Sequence, residues 1–471
     1  MFIAREKELQ SLEAVYAKNG FGMTIIYGRR RVGKSTLIRE FVSDKKHVFY
    51  TATKVGAIRN LELFTRQVLE VIEPNMSEAT FPTIEDVLNV ITDYLRKSDE
   101  KLVLVIDELP YWAEKDEALL SIFQKYIDTK WQDSNMMLIL CGSALSFMEN
   151  KVLSEKSPVF GRRDSQIKLD AFNYKDAALF VSNYSAEDKA ICYGVTGGVA
   201  KYLELFDTSL SLDDNIERLF FSPDGYLFDE TKNLLTQEFA DVTLVNNIIE
   251  QVANGENTLN VISSKVHEKD STVLYSLDKL IDVGLVEKRK CITEEKNKKK
   301  TQYVLRDHMF KFWYRFIANA ISVIEMGQGR QYYDKVVKPR LHLYMGSVFE
   351  EMCRYYTLEQ GIAGAYGPVI TSVGTWWGVE HSVREDGTKY KETADIDVVG
   401  VSSNKDVVVG ECKFTNDKID KEVYDTLLRR SDLLTNRKVS AYLLFSLNGY
   451  TKWFDTEKMD NWYLYTLEDM Y

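Results

Sequence analysis

The sequence has only five cysteines in 471 residues, and none of them, at 141, 192, 291, 353 and 412, stands in a Cys-x-x-Cys pair. An odd, scattered set argues against a disulfide framework and against a structural zinc site, both of which need closely spaced thiols. Histidine is equally scarce, with five residues and no His-x-x-x-His spacing, so a zinc-protease motif and a Cys–His nucleophile signature both lack a local signal. Long apolar runs are missing too. Nothing approaches the roughly 20 residues that a membrane helix needs, and charges at Arg5, Glu6, Lys7 and Glu8 spoil any secretory leader. The expected location is the cytoplasm, with no membrane partner. Proline is rare, with seven residues, and no solenoid repeat or long low-complexity linker is evident. Positive charge is in deficit: the net charge of −11 argues against a surface that coats nucleic acid, because phosphate binding rests on lysine and arginine. One stretch runs the other way. Residues 287–300, EKRKCITEEKNKKK, hold seven basic against three acidic residues.

What is present is an ordinary globular composition, 45% hydrophobic and 28% charged, at a length that suggests several domains, each with its own core. The strongest pattern is MTIIYGRRRVGKSTLIREF, residues 23–41. A β-rich run feeds Gly28-x-x-x-x-Gly33-Lys34-Ser35, and an amphipathic helix follows, which is the context a phosphate-binding loop requires. Gly28 and Gly33 let backbone N–H groups approach phosphates, and the helix N-terminus adds a favourable dipole. Lys34 is placed to neutralise the β and γ phosphates of ATP, the Ser35 hydroxyl to ligate Mg²⁺, and Thr36 beside it joins the nucleotide-binding set. A second run, LVLVI followed by Asp107 and Glu108, reads as a central parallel strand ending in acids at the edge where such sheets bind ligands. Asp107 would hold Mg²⁺ through water, and Glu108 would orient or deprotonate the attacking water. A third run, MMLILCG, ends at Ser143, which serves either to sense the γ-phosphate or to cap the next helix. Arg162 and Arg163 follow a turn at Gly161. They suit stabilisation of transition-state charge on a phosphoryl group, or a surface salt bridge.

From 244 to 307 the pattern changes to three short helices and two strands separated by lysines, the layout of a winged helix-turn-helix. In the third helix Leu274, Leu277 and Ile281 are expected to face the core, leaving Thr272, Tyr275, Ser276 and Lys279 for a groove of DNA. Lys296, Lys298, Lys299 and Lys300 of the wing would meet phosphates. The aromatic run at 310, 312, 313, 314 and 316 is expected to be packing rather than a base-stacking platform.

Near the C-terminus stands TADIDVVGVSSNKDVVVGECKF, residues 393–414. It reads as a hairpin turning near Asn404, and side chains two apart share a face. The register sets Asp397 opposite Glu411 and Asp395 opposite Lys413. Facing carboxylates repel unless a cation lies between them, so the pair calls for a divalent metal; a solvated outer face of an edge hairpin is the plainer alternative.

Phe2-Ile-Ala-Arg5-Glu6-x-Glu8-Leu9, the glycine loop, Asp107-Glu108, Gly161-Arg162-Arg163 and Gly197-Gly198-x-x-Lys201-Tyr202-Leu203 together resemble the archaeal-type P-loop ATPases, relatives of the AAA and signal-transducing NTPases. The resemblance implies that Arg5 lies near the base and that Gly-Arg-Arg closes the ATPase module. Ala200 stands where that family often has proline. The C-terminal third resembles the restriction-endonuclease-like domain, DUF234-like, that such ATPases frequently carry with a Gly-Glu-Cys-Lys strand, here Gly410 to Lys413. Its Asp…Glu-x-Lys motif falls on Asp397, Glu411 and Lys413, with Glu350 as the helix acid. That implies catalysis with Mg²⁺ or Mn²⁺ held by Asp397 and Glu411.

The fold class expected is α/β multidomain: a P-loop NTPase (AAA+-like) parallel sheet with a helical lid, a winged helix-turn-helix, and a C-terminal restriction-endonuclease-like α/β domain. The boundaries expected are 1–165, 166–238, 239–325 and 326–471. The function expected is ATP hydrolysis gating a metal-dependent DNA nuclease, with a nucleotide-dependent switch or a DNA-binding regulator that does not cut as the alternative. If Arg162 or Arg163 acts on a neighbouring subunit, the protein is a homo-oligomer.

Overall fold

Three runs of the sequence, apolar but for Thr24 and the terminal Asp107, become fully buried parallel strands, because a sheet covered on both faces favours apolar side chains on each side. They are β1 (Gly22–Tyr27), β3 (Leu102–Asp107) and β4 (Met136–Gly142). With the shorter β2 (His47–Thr51) and β5 (Ser165–Lys168) they form one sheet in the order β2-β3-β4-β1-β5, parallel throughout. Alternate residues divide between two cores. Ile25, Leu104, Ile106 and Leu138 face one layer of helices; Ile26, Val103, Val105 and Ile139 face the other. Each such side chain contributes about 1.5–3 kcal/mol on burial.

This computed structural model describes residues 2–76, 78–239, 241–294, 297, 300–383, 389–435, 437–457 and 459–471. The chain forms two compact units, Met1–Phe172 with Val199–Lys201, and Asn173–Gly198 with Tyr202–Tyr471. Among the described residues no helix is long and apolar enough to cross a membrane.

In the first unit the loop after β1 leaves the sheet through Gly28, where a Cβ would stand 2.1 Å from the Leu169 carbonyl oxygen. That approach comes from the β1–β5 pairing continuing one step, with Leu169 N–H donating to the Tyr27 carbonyl at 2.7 Å. Gly28→Ala should therefore lower the melting temperature of this unit by a few degrees, the effect of overpacking worth about 1–3 kcal/mol. Thermal unfolding followed by circular dichroism checks this; an unchanged midpoint would mean that the loop relaxes without cost.

The second unit opens with helices that include Ala186–Thr196 and Leu212–Phe220. Three helices, Val242–Ala253, Leu259–Val266 and Asp270–Asp282, then precede an antiparallel ribbon of β6 (Val286–Lys290) and β7 (Thr301–Leu305). The third helix is turned relative to expectation. It buries Val273, Ser276, Leu277 and Leu280, so Ser276 belongs to the core and Leu274 and Ile281 lie at its margin. The aromatic helix His308–Phe316 is packing, as expected, with Phe310, Phe312, Tyr314 and Phe316 buried. Beyond it the long helix Leu341–Ile362 packs on a mixed sheet ordered β12-β11-β10-β9-β8. Its strands are β8 (Ile370–Val383), β9 (Lys389–Ser402), β10 (Val407–Lys413), β11 (Val439–Ser446) and β12 (Trp462–Thr466). β10 is central, antiparallel to β9 and parallel to β11, and carries Glu411 and Lys413 at its carboxyl end.

Candidate functional site

The glycine loop closes on its own lysine. Gly33, at φ 96°, adopts the left-handed conformation that favours glycine and starts the helix Lys34–Val42. The Lys34 ammonium is buried and donates to the carbonyls of Gly28 and Arg29, both at 2.9 Å. Ser35 follows it and donates its hydroxyl to Asp107 Oδ2 at 2.7 Å. A hydroxyl and a buried carboxylate in contact at a helix N-terminus form a donor set that suits Mg²⁺. Asp107 is fixed through its other oxygen, which accepts the Glu108 N–H at 2.9 Å. Thr36, next in line, is exposed.

Glu108 has φ 51° and ψ 39°, a conformation costly outside glycine. It turns the carboxylate toward the end of β4, where Oε2 accepts the Ser143 hydroxyl at 2.7 Å. The acid after β3 and the serine after β4 thus meet above the carboxyl edge of the sheet. Arg5 is buried and ties the module together. Its guanidinium donates to the Asp170 carbonyl at 2.6 Å, reaches the Val32 carbonyl of the glycine loop at 3.5 Å, and lies 4.0 Å from the centre of the Phe172 ring.

The two candidate arginines after Gly161 are engaged elsewhere in the same unit. Arg162 grips Asp128 through Nε at 2.7 Å and a terminal nitrogen at 2.6 Å, and donates to the carbonyls of Pro158 and Phe160. The hydrogen bonds from Arg162 hold the Asp128 carboxyl below the usual carboxylate range. Arg163 stacks over Phe160, 5.3 Å from the ring centre. No sequence pattern could have paired residues 128 and 162.

On the helix Asp270–Asp282, Tyr275 is exposed and Lys279 lies over its ring at 4.3 Å, while Thr272 is half-buried. Lys300 is bound to Glu294 at 2.5 Å and to the Trp377 carbonyl at 2.8 Å. Lys296, Lys298 and Lys299 lie outside the described residues.

In the second sheet the paired register of β9 and β10 runs to Gly410 opposite Val398. The next step brings Glu411 to Asp397, as the sequence predicts. Both carboxylates are buried. Asp397 Oδ2 accepts the Cys412 N–H at 3.0 Å, Glu411 Oε1 accepts from Lys413 Nζ at 2.8 Å, and Glu411 Oε2 is buried with no hydrogen-bond partner among the described residues. Asp395 turns outward to Arg430 at 3.0 Å rather than to Lys413. Burial, then the facing Glu411 and Glu350, push the Asp397 carboxyl well above its ordinary range. Burial disfavours the charged Lys413 amine, but the attraction of Glu411 outweighs it and the pKa rises.

Glu350 lines the same cleft of about 590 Å³ with Asp397, Glu411 and Lys413, but its carboxylate leans to Arg354 at 3.4 Å. Arg354, one helical turn on, also donates to the Asp397 carbonyl at 3.0 Å. Sequence reading passed it over, although the i,i+4 spacing from Glu350 is visible. Among the described residues no three His, Cys, Asp or Glu side chains already stand together as a metal cage. The unpartnered Glu411 oxygen facing a carboxyl that resists ionisation is nonetheless what a cation would satisfy.

Residues 2–206 match the family described as an ATPase domain predominantly from Archaea. Residues 313–426 match DUF234, described as archaeal and bacterial proteins of unknown function. Over 438 residues the chain is 29% identical to an uncharacterized protein of Methanocaldococcus jannaschii, which covers 92% of each chain. An uncharacterized ATP-binding protein of the same organism is 48% identical over 46 residues, 10% of this chain and 78% of its own length. Among solved structures, a Walker-type ATPase of Pyrococcus abyssi shares the fold with a TM-score of 0.52 at 18% identity, over 67% of this chain and 96% of that one. The chain thus carries an archaeal-type ATPase domain over residues 2–206 and a DUF234 domain over residues 313–426, and its five-stranded parallel sheet has the fold of a Walker-type ATPase.

Proposed function

We propose that the first unit binds and hydrolyses ATP and that the second cuts the phosphodiester backbone of DNA at the Asp397–Glu411–Lys413 cleft, with ATP turnover gating the cut. The observation that carries the second half is the buried, unpartnered Glu411 Oε2 beside Asp397. The Lys413 ammonium reaches one Glu411 oxygen, and a second cation joining the two carboxylates would relieve the repulsion that remains. A divalent ion held by Asp397 and Glu411 would supply charge stabilisation to a scissile phosphate. Lys413, on the same face of β10, would orient the attacking water, and Arg354 holds β9 in register beside it through the Asp397 carbonyl.

In the first unit Lys34 would bind the β and γ phosphates, and Ser35 and Asp107 would hold Mg²⁺. Glu108 would accept the proton of the attacking water while Ser143 keeps its carboxylate aimed. The three helices and ribbon at 242–305 support a winged helix-turn-helix reading, in which Tyr275 and Lys279 meet DNA. Gating is supported by chain continuity. Residues 199–201 pack with the glycine loop, Lys201 N–H donating to the Arg31 carbonyl at 3.1 Å, while the residues on either side belong to the second unit.

A second reading, a nucleotide-driven switch whose C-terminal domain binds without cutting, is favoured by Glu350 leaning to Arg354 rather than completing a three-acid cage. The test is incubation of linear and circular DNA with Mg²⁺ or Mn²⁺, with and without ATP, for wild type, Lys413→Ala and Lys34→Ala. Cleavage lost in Lys413→Ala and altered in Lys34→Ala is the expected result. DNA left intact by wild type that still hydrolyses ATP would replace the nuclease by the switch.

A further inference from the structure

The glycine loop holds three successive arginines, Arg29, Arg30 and Arg31, and the middle one reaches across the sheet. A terminal nitrogen of Arg30 donates to the Tyr111 hydroxyl at 2.6 Å. Tyr111 lies in the short helix Leu109–Ala113 immediately after Glu108, and its N–H donates to the Glu108 carbonyl at 3.0 Å. Strand order decides what lies beneath this link. The glycine loop follows β1 and Glu108 follows β3, with β4 between them, so the two residues joined here follow strands two spacings, about 10 Å, apart. At that edge β4 ends in Ser143, the residue bonded to Glu108. The Arg30 guanidinium is thus tied, through the Tyr111 hydroxyl, to the short helix that begins next to Glu108.

A second cation approaches the same ring. Lys54 Nζ lies 5.4 Å from the Tyr111 ring centre, in the segment that leaves β2 and is pinned by the buried Asn60, which accepts the Thr53 N–H at 3.0 Å and donates to the Thr53 carbonyl at 3.1 Å. Of the candidates after Gly161, Arg162 is forked onto Asp128.

We infer that Arg30 is the transition-state arginine of the ATPase, supplied by the same chain, and that Tyr111 is its positioning residue. This rests on the hydrolytic reading of the first unit. In the step it serves, the water oxygen bonds to the γ-phosphorus and the bond from that phosphorus to the β–γ bridging oxygen breaks. The water proton passes to Glu108, ADP leaves with the electron pair on its β-phosphate, and Arg30 donates hydrogen bonds to the phosphoryl oxygens as charge shifts onto them.

The experiment compares wild type, Arg30→Ala, Arg30→Lys, Tyr111→Phe and Arg163→Ala in the full chain. It measures single-turnover ATP hydrolysis, affinity for ADP, and affinity for ADP with aluminium fluoride, a mimic of the transferring phosphoryl group. Arg30→Ala should lose about 10³-fold or more in hydrolysis and lose the fluoride complex, while binding ADP within about threefold of wild type. Arg30→Lys should recover only a small part, because a lysine lacks the planar fork. Tyr111→Phe should weaken the fluoride complex without changing ADP binding, and the wild-type rate per molecule should not change with protein concentration. Hydrolysis within about threefold of wild type in Arg30→Ala would overturn the inference. So would an equal fall in ADP affinity, which would mark a loop-building role, or a wild-type rate that climbs with concentration and collapses in Arg163→Ala. A wild type that binds ATP without hydrolysing it would overturn the hydrolytic reading itself, a result separate from all of these.

Discussion

Glu108→Gln should bind ATP as tightly as wild type and turn it over about 10²–10⁴ times more slowly, the range of a lost general base. The glutamine oxygen can still accept the Ser143 hydroxyl that Glu108 now accepts at 2.7 Å, so the backbone turn at φ 51° has no reason to change. What the amide cannot do is take a proton from water. Asp107, one residue earlier, is different in kind, because its carboxylate is tied to the Ser35 hydroxyl and the Glu108 N–H and so lies against the start of the helix that follows the glycine loop. Lys34→Ala should therefore fail at an earlier stage. Its ammonium makes two hydrogen bonds within the loop, one of them fully buried, and one charge-assisted bond to phosphate is worth about 1.5–3 kcal/mol, so losing a single such bond should lower ATP affinity by roughly 10- to 150-fold. Equilibrium binding of a fluorescent ATP analogue and single-turnover hydrolysis separate the two variants. Equal loss of binding in both would show that Glu108 builds the site instead of acting in it.

The contrast shows what the sequence made legible. The glycine loop and the strands LVLVID and MMLILCG could be read because a doubly covered parallel sheet needs unbroken apolar runs. Their polar ends then mark one edge without any knowledge of partners. The Asp397–Glu411 apposition could be read because a hairpin of known turn fixes its own register. Where apolar residues are broad rather than striped, the reading slipped. Residues 273, 274, 277, 280 and 281 are all apolar, so two phases of the helix Asp270–Asp282 fit equally well, and packing chose the one that buries Ser276. Partners distant in sequence were out of reach. Nothing in the residues around Arg162 announces Asp128, nor does Asp395 announce Arg430 or Arg30 announce Tyr111, since each pairing depends on how strands and helices are laid side by side.

At the second site, Asp397→Asn should raise stability in the absence of metal. Burial and the facing carboxylates of Glu411 and Glu350 push the Asp397 carboxyl up, so the folded chain holds this proton more tightly than the unfolded chain does. The stability it contributes is then complete below the ordinary carboxylate pKa of about 3.9 and is lost as pH rises through the elevated folded value. In metal-free buffer near about pH 8 the asparagine variant should melt above wild type, and at about pH 4 the two should converge. Asparagine keeps an oxygen that can accept the Cys412 N–H, now bonded to Asp397 Oδ2 at 3.0 Å, so the gain reflects charge and not a lost contact. Mn²⁺ should reverse the order, because an ion that binds only the folded wild type stabilises it by mass action. The same ion should stabilise wild type more at the higher pH, where no proton competes for the carboxylate. Cleavage, if the cleft is a nuclease, should fall by at least about 100-fold in Asp397→Asn, since metal charge stabilisation is worth several kcal/mol. Calorimetry across pH with and without Mn²⁺ gives the first two results independently of any DNA substrate. A variant that melts below wild type at neutral pH without metal would mean that Asp397 is satisfied as a carboxylate by its own surroundings, and the cleft would lose its strongest claim to an ion.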